Sequence, residues 1–174
     1  ECSARQLRNY LYFREISIEH IYDMRMTIEV EAAAAAVGHL TSADFKALEE
    51  SAASCHGSAG GRRRQTAVRQ AELTFHEVLA NRCPNPLLAF AAKFISDLLR
   101  DYIEFDTHDT AEFDRFTADN CVYHRELIKA YRAEDETQVR SVMIEHIRSA
   151  RAHTLRLNGS LMKALLTPPE SMIN

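Results

Sequence analysis

Proline is absent from residues 1–83 and from residues 87–167, and the chain contains only five glycines among its 174 residues. These two residue types most often interrupt helices and mark turns, so their scarcity favours long helices. Apolar residues recur with a helical period through most of the chain, and no long segment alternates apolar and polar residues as a half-buried strand does. The sequence therefore predicts an all-α fold, an antiparallel bundle of six to seven helices.

Capping signals mark where several predicted helices begin. Ser17 is an expected N-cap for a first helix that continues through a polyalanine run to Gly38. Asn85 followed by proline is typical of an N-cap and the first helical position, and Asp135 with Gln138 is a variant of the capping box. The other helices are expected over about residues 42–56, 62–82 and beyond 110.

The fourth predicted helix has its apolar residues at Leu87, Phe90, Phe94, Leu98 and Tyr102. We expect residues 1–16 to form a connecting arm or short helix, residues 17–158 to form one all-α domain, and residues 159–174 to form a C-terminal tail. Because the sequence begins at Glu1 and not at a methionine, a further segment is expected to precede it.

Charge and composition exclude several classes of protein. Lys and Arg number 21 against 25 for Asp and Glu, a formal charge of −4, so these residues alone have no positive field to attract a phosphate backbone. No apolar run approaches the ~18 residues that span a membrane, and the first residues lack the order of a signal peptide. The four cysteines form no C-x-x-C pair, which fits a reducing compartment. We therefore expect a cytoplasmic protein without a membrane segment.

Four polar residues occupy helical positions where apolar residues are expected. Glu72 lies on the apolar stripe of the third predicted helix, and His76 follows it by four positions. At this spacing two side chains on one helix face can share a metal ion. His124 and His146 have inward positions on the last two predicted helices. Three imidazoles and a carboxylate that converge from three helices would suit a divalent transition metal.

A structural interpretation of these histidines stays open. A histidine on an apolar face is more often a hydrogen-bonded core residue than a metal ligand. The acid-to-histidine spacing also occurs at Glu104 and His108, which shows how easily it arises. His153, two turns beyond His146 on the last predicted helix, has no role assigned from the sequence, and neither has His108.

Arg25 is a permanent cation on the apolar stripe of the first predicted helix. A guanidinium in such a position needs an anionic partner. One interpretation is a salt bridge to an internal acid, with Glu29, Glu72 and Glu104 as the candidates. The other interpretation is bidentate capture of an anionic ligand, and the sequence alone leaves both open.

Other chemistries have little support. The chain has no H-E-x-x-H or E-x-x-H pair, no phosphate-binding loop, no dinucleotide glycine fingerprint and no G-x-S-x-G nucleophile turn. Cys121 lies three residues before His124, and inside a helix this spacing indicates packing. The basic triplet at 62–64 indicates a solvated helix start.

Three segments together carry a family resemblance. The segments are Ile21 to Arg25 and on through Glu29 to Ala36; Glu72-Leu73-Thr74-Phe75-His76 followed by Asn85-Pro86; and His124 to Ala130 followed by Asp135, Met143 and His146. In order and approximate spacing they resemble the C-terminal effector-binding (FCD) domain of FadR-like members of the GntR family of bacterial transcription regulators. The resemblance covers about residues 15–158.

This resemblance implies a helical bundle like the FadR C-terminal domain that senses a metabolite and catalyses no reaction. It implies a divalent metal held by Glu72, His76, His124 and His146, with Zn and Ni favoured and Mn and Fe as alternatives. It also implies that Arg25 faces a small carboxylate effector. The family pattern has Asp where this chain has Glu72, and this departure bears on whether the metal binds.

The resemblance implies two further partners. A winged helix-turn-helix that contacts DNA would precede Glu1, and family members pair as homodimers. The competing interpretation of the same residues is a metal-dependent hydrolase or lyase, in which an open coordination position activates water. A plain helical dimerisation domain with a hydrogen-bonded polar core is the third interpretation.

Overall fold

The computed structural model describes residues 16–54, 61–102 and 110–158. Within these ranges the chain forms six α-helices and no strand, which confirms the predicted all-α bundle. The helices are α1 (Ile18–Ala35), α2 (Ser42–Ser54), α3 (Gly61–Arg82), α4 (Pro86–Tyr102), α5 (Thr110–Arg132) and α6 (Glu136–Asn158). The predicted arm before Ile16, the predicted tail and the Glu104–His108 pair lie outside the described residues.

The predicted helix starts are formed by the expected caps. The Ser17 hydroxyl accepts a hydrogen bond from the His20 amide, and the His20 side chain accepts one from the Ser17 amide, so a reciprocal capping box opens α1. The Asn85 side-chain oxygen accepts from two amides in the first turn of α4. The Asp135 carboxylate accepts from the Gln138 amide at 2.9 Å at the start of α6. Each cap satisfies amides that a helix start leaves unpaired.

Contacts between helices fix their relative directions. Tyr22, early in α1, is hydrogen-bonded to Thr154, late in α6, whereas Glu31, late in α1, pairs with Arg140, early in α6. Helices α1 and α6 are therefore antiparallel. Helices α5 and α6 are joined by a tight turn in which Glu134 has a φ of 51°, and a short connection of this kind makes neighbouring helices antiparallel.

Helices α3 and α5 run in the same direction. Arg64 near the start of α3 pairs with Asp114 near the start of α5. Two turns further along α3, Glu72 accepts a hydrogen bond from Asn120 of α5 at 3.0 Å. This parallel arrangement brings the middle of α3 against the middle of α5.

The core lies where α1, α3, α5 and α6 meet. Its fully buried apolar side chains include Val68, Phe75, Leu127, Met143 and Ile147. Burial of each such side chain stabilises the fold by roughly 1.5–3 kcal/mol. Polar side chains are buried within the same layer, and they form the site described below.

The apolar residues of α4 do not all face the core. Leu98 is buried, but Leu87 and Phe90 are 78% and 60% exposed. The buried side of α4 is formed by Ala92, Ile95 and Leu99, which recur at helical spacing and pack toward α1 and α3. Because α4 is apolar on more than one face, its periodicity could not show which face the core would cover.

The described residues also bear on two expectations from composition. None of the described helices is long and apolar enough to cross a bilayer. Cys83 and Cys121 are buried and free, and the Cys121 thiol donates to the Ala52 carbonyl oxygen. Cys121 therefore has a packing role, as its spacing indicated.

Candidate metal centre

Four potential metal ligands from three helices meet inside the bundle. Glu72 and His76 extend from α3, His124 from α5 and His146 from α6, and one potential ligand atom from each lies within 4.8 Å of the other three. The three histidines are buried. The structure thus brings together all four residues that the helical phase singled out.

The Glu72 carboxylate lies at the middle of this cluster. Its Oε1 is 3.2 Å from Nε2 of both His76 and His146, and its Oε2 is 3.1 Å from Nε2 of His124. Asn120 donates to the same Oε2. One carboxylate therefore faces all three imidazoles, and the methylene that distinguishes glutamate from aspartate does not move it out of the centre.

His124 and His146 have the properties of neutral ligands. Burial lowers the pKa of His146 to about 4 and lowers the pKa of His124, because the surroundings cannot solvate an imidazolium. Within the described residues, Nδ1 of His124 and Nδ1 of His146 are buried without a hydrogen-bond partner, and Nε2 of His124 lies 3.1 Å from Glu72 Oε2 without the geometry of a hydrogen bond. The Phe75 ring stacks on His124 at a centroid distance of 3.7 Å and fixes its plane.

This donor set fits a divalent transition metal. Imidazole nitrogens and carboxylate oxygens are the ligands that Zn²⁺ and neighbouring first-row ions accept in proteins. Buried polar atoms normally find a hydrogen-bond partner, so the buried Nε2 of His124, which faces Glu72, calls for an explanation. A cation that accepts the lone pair of this nitrogen supplies one.

His76 is held between two carboxylates. Its Nδ1 lies 3.0 Å from Glu29 Oε2 and its Nε2 lies 3.2 Å from Glu72 Oε1. Burial acts to lower the pKa of His76, but Glu29 and Glu72 outweigh it and raise that pKa to about 9. A cation bound at Nε2 has to replace the proton on that nitrogen.

Arg25 forms the internal salt bridge that was one of its two interpretations. Its Nε and one terminal nitrogen donate to the two oxygens of Glu29 at 2.8 and 3.0 Å, and both side chains are 4% exposed. The same terminal nitrogen lies 3.3 Å from His76 Nε2. Burial opposes ionisation of Glu29, but the guanidinium lowers the pKa of that carboxyl to about 2. Arg25 is thus paired with an acid and also in contact with the cluster.

A small cavity adjoins the cluster. Its volume is about 40 Å³, and its lining includes Tyr22, Arg25, Arg69, Glu72, His76 and Ser96. Since one water molecule needs roughly 10–15 Å³ of such space, the cavity has room for a few water molecules. The cavity thus places two guanidinium groups and two hydroxyl-bearing side chains beside the ligand cluster.

Sequence reasoning missed three of these polar residues. Arg69 precedes Glu72 by one helical turn, Ser96 lies among buried apolar positions of α4, and Asn120 precedes His124 by four positions. Helical phase offered a weak signal for Asn120 and Ser96. Helical phase gave no signal for Arg69, because a partly exposed arginine on a helix cannot be distinguished by phase from other surface residues.

His153 lies outside this centre and belongs to a second polar cluster. Its Nδ1 is 2.6 Å from Glu112 Oε1 and its Nε2 is 2.8 Å from Asp119 Oδ2. Arg115 and Arg156 also donate to Glu112. Since both nitrogens of His153 have carboxylate partners, this histidine is a hydrogen-bonded structural residue that joins α5 and α6.

Comparisons with known proteins agree with the fold. The sequence matches the family described as FCD domain over residues 20–149. A solved structure described as Streptococcus agalactiae GntR aligns with a TM-score of 0.56 and 19% identity, covering 76% of this chain and 56% of that one. At this identity the likeness concerns the fold, and this chain spans little more than half the length of its neighbour. A comparison with curated proteins gives no match.

Proposed function

Because the chain belongs to the FCD domain family, we propose that it is the effector-sensing domain of a GntR-type transcription regulator, binding a small organic acid at a divalent-metal site. The observation that carries the proposal is the buried cluster of one carboxylate and three imidazoles, with the Arg25 guanidinium in contact with it. The cavity beside the cluster is where the acid would enter.

Glu72, His76, His124 and His146 would hold the metal. Zn and Ni suit this nitrogen-rich set best, and Mn and Fe are the alternatives. The bound ion supplies positive charge that attracts a carboxylate oxygen of the effector. Arg25 would supply the second positive group through the part of its guanidinium that Glu29 does not occupy.

The small cavity supports a sensing role for this site. An organic acid larger than this cavity would require the side chains around it to move apart when the acid binds. An effector that binds the wider arrangement better shifts the population of the domain toward it. A DNA-binding segment N-terminal to α1 would respond to that shift, and binding would proceed without turnover.

The exposed face of α4 supports a homodimer. Leu87 and Phe90 are largely exposed on it, and Phe90 stacks near Phe94 at a centroid distance of 6.4 Å. Large exposed apolar side chains that cluster on one face mark interaction surfaces. The ion pair of Arg100 with Asp97 places both signs of charge on the same helix. A second copy related by a two-fold axis would pack its own Leu87 and Phe90 against this face.

Elemental analysis and thermal unfolding test the proposed function. Protein purified without chelator should contain close to one equivalent of a transition metal. Dicarboxylates, hydroxy acids and sugar acids should then include at least one that raises the unfolding temperature, since ligand at roughly 100 times its Kd stabilises the fold by about 2.7 kcal/mol.

Two alanine variants test the assignment of the site, one at a proposed ligand and one as a control. His124→Ala should lose the metal and the thermal shift, whereas His153→Ala, which removes a buried histidine of the second cluster, should keep both. If His124→Ala responds like the wild type, the site assignment is wrong. If the metal-loaded protein converts one of the acids to product, the hydrolase or lyase interpretation replaces the sensor.

A further inference from the structure

Glu29 contacts both Arg25 and His76, and the function proposed above uses neither contact. Its Oε1 accepts from Arg25 Nε at 2.8 Å. Its Oε2 accepts from the Arg25 terminal nitrogen and also lies 3.0 Å from His76 Nδ1. The carboxylate is 4% exposed, so it forms these contacts without competition from bulk water.

The contact with Glu29 fixes which nitrogen of His76 faces the cluster. A carboxylate can only accept, so Nδ1 of His76 carries the hydrogen and donates it to Glu29. The other nitrogen, Nε2, then points to the cluster, where it lies 2.9 Å from His146 Nε2. A histidine whose outer nitrogen is bound to a carboxylate is held in one tautomer and one ring orientation, and it becomes a more basic ligand.

We propose that Glu29 is a positioning residue of the metal centre, which acts through His76 by holding its Nδ1 proton and turning Nε2 toward the ion. This inference rests on the proposed function, because it requires that the cluster binds a metal. Glu29 itself does not touch the metal, since its two oxygens are engaged by Arg25 and by the far side of the His76 ring.

The competing explanation is that Glu29 only neutralises the buried cation of Arg25. The two explanations differ in what happens when both members of the ion pair are removed. The pair has no net charge, so its replacement by apolar residues leaves the charge around the cluster unchanged and is often tolerated by the fold. His76 would then lose its Glu29 partner, and the Tyr22 ring would lose the guanidinium that lies over it.

The affinity of the full chain for Co²⁺ tests the proposal. It is measured in competition with a chelator of known affinity, so that the variants can be compared. Glu29→Gln and the double variant Arg25→Met/Glu29→Leu should bind Co²⁺ roughly 10- to 100-fold more weakly than the wild type, the range usual for loss of an outer-shell partner. Glu112→Gln is the matched control, because Glu112 is equally buried and also contacts a histidine and arginines, but in the second cluster. It should bind Co²⁺ like the wild type.

A second measurement reports on His76 directly. In the Zn²⁺-loaded wild type, the Nδ1 proton of His76 should give a slowly exchanging NMR signal, and this signal should disappear in the double variant. If the single variant does not fold, the double variant decides alone, because it leaves no unpaired buried charge. If the double variant binds Co²⁺ as tightly as the wild type, or keeps the His76 signal, the proposed role of Glu29 is wrong. The metal site itself would be unaffected by that result. A wild type that binds neither Co²⁺ nor Zn²⁺ would overturn the metal site and this inference together.

Discussion

Glu29 and Glu112 show how two buried carboxylates in one bundle acquire different surroundings. Both contact a histidine and an arginine, but Glu29 lies beside the cluster of ligands and Glu112 lies in a network that joins α5 to α6. Burial alone would raise the pKa of Glu112, but hydrogen bonds from Arg156, Arg115 and His153 lower that pKa to about 2. The folded state therefore favours the charged form of Glu112.

The pKa of Glu112 predicts a specific loss of stability in acid. Because the folded-state pKa is about 2 and the ordinary value is 4.5, the contribution of Glu112 to the free energy of unfolding is present above about pH 4.5 and is lost as the pH falls toward 2. The free energy of unfolding of Glu112→Gln, measured by urea denaturation, should thus fall less between about pH 5 and pH 2 than that of the wild type.

An exposed pair provides the comparison for this prediction. Glu145 pairs with Arg148 on the surface of α6, and such pairs contribute little to stability. Glu145→Gln should keep the pH dependence of the wild type. If Glu112→Gln also keeps it, the contacts around Glu112 do not stabilise the folded state.

Single residues were predictable from the sequence to different degrees. Glu72, His76, His124 and His146 could be singled out because a polar residue at an apolar helical phase is unusual. The partner of Arg25 could only be narrowed to three acids, because phase shows which side chains face inward and not which of them meet. The acid that pairs with Arg25 is Glu29, one turn further along the same helix, whereas a pairing with Glu72 would have depended on how α1 lies against α3.

At the level of the helix, Asn85 offers the clearest test of a local signal. Its side-chain oxygen accepts from the amides of Leu87 and Leu88 at 3.1 and 3.3 Å. Asn85→Ala should lower the free energy of unfolding by about 1 kcal/mol, the usual cost of losing an N-cap. Chemical denaturation measures this change.

Asn85→Asp gives the matched control for the cap. Aspartate accepts the same amide hydrogen bonds and is about as good an N-cap as asparagine, so this variant should unfold at nearly the wild-type denaturant concentration. Equal stability of Asn85→Ala and the wild type would show that the cap does not hold the start of α4.

The helices themselves were the most predictable level of the structure. Ser17, Asn85 and Asp135 signal helix starts through local hydrogen bonds, which depend on a few neighbouring residues. The orientation of α4 was less predictable, because Leu87 and Phe90 extend its apolar character around the helix. Which apolar face becomes buried depends on α1 and α3, and that is a property of the tertiary structure.

At the scale of the whole molecule, the exposed Leu87 and Phe90 on α4 make the proposed homodimer testable. Phe90→Glu should shift the mass measured by light scattering from two chains to one, because a charge in an apolar interface is costly to bury. The change should not unfold the chain, since Phe90 is 60% exposed.

Val122→Glu is the control for this prediction. Val122 is a comparably exposed apolar residue, 48% exposed, but it lies on α5. This variant should keep the mass of the wild type. A dimer that persists in Phe90→Glu would place the interface elsewhere on the molecule.

The narrow cavity beside the cluster also affects how quickly the domain can respond. Because the cavity is small, an effector of the proposed kind would enter only when the surrounding side chains move apart. The observed association rate of the effector would then reach a maximum at high effector concentration, because binding cannot be faster than the opening of the cavity. The apparent affinity for the effector would also be lower than the affinity of the open form, because only a fraction of the domain is open.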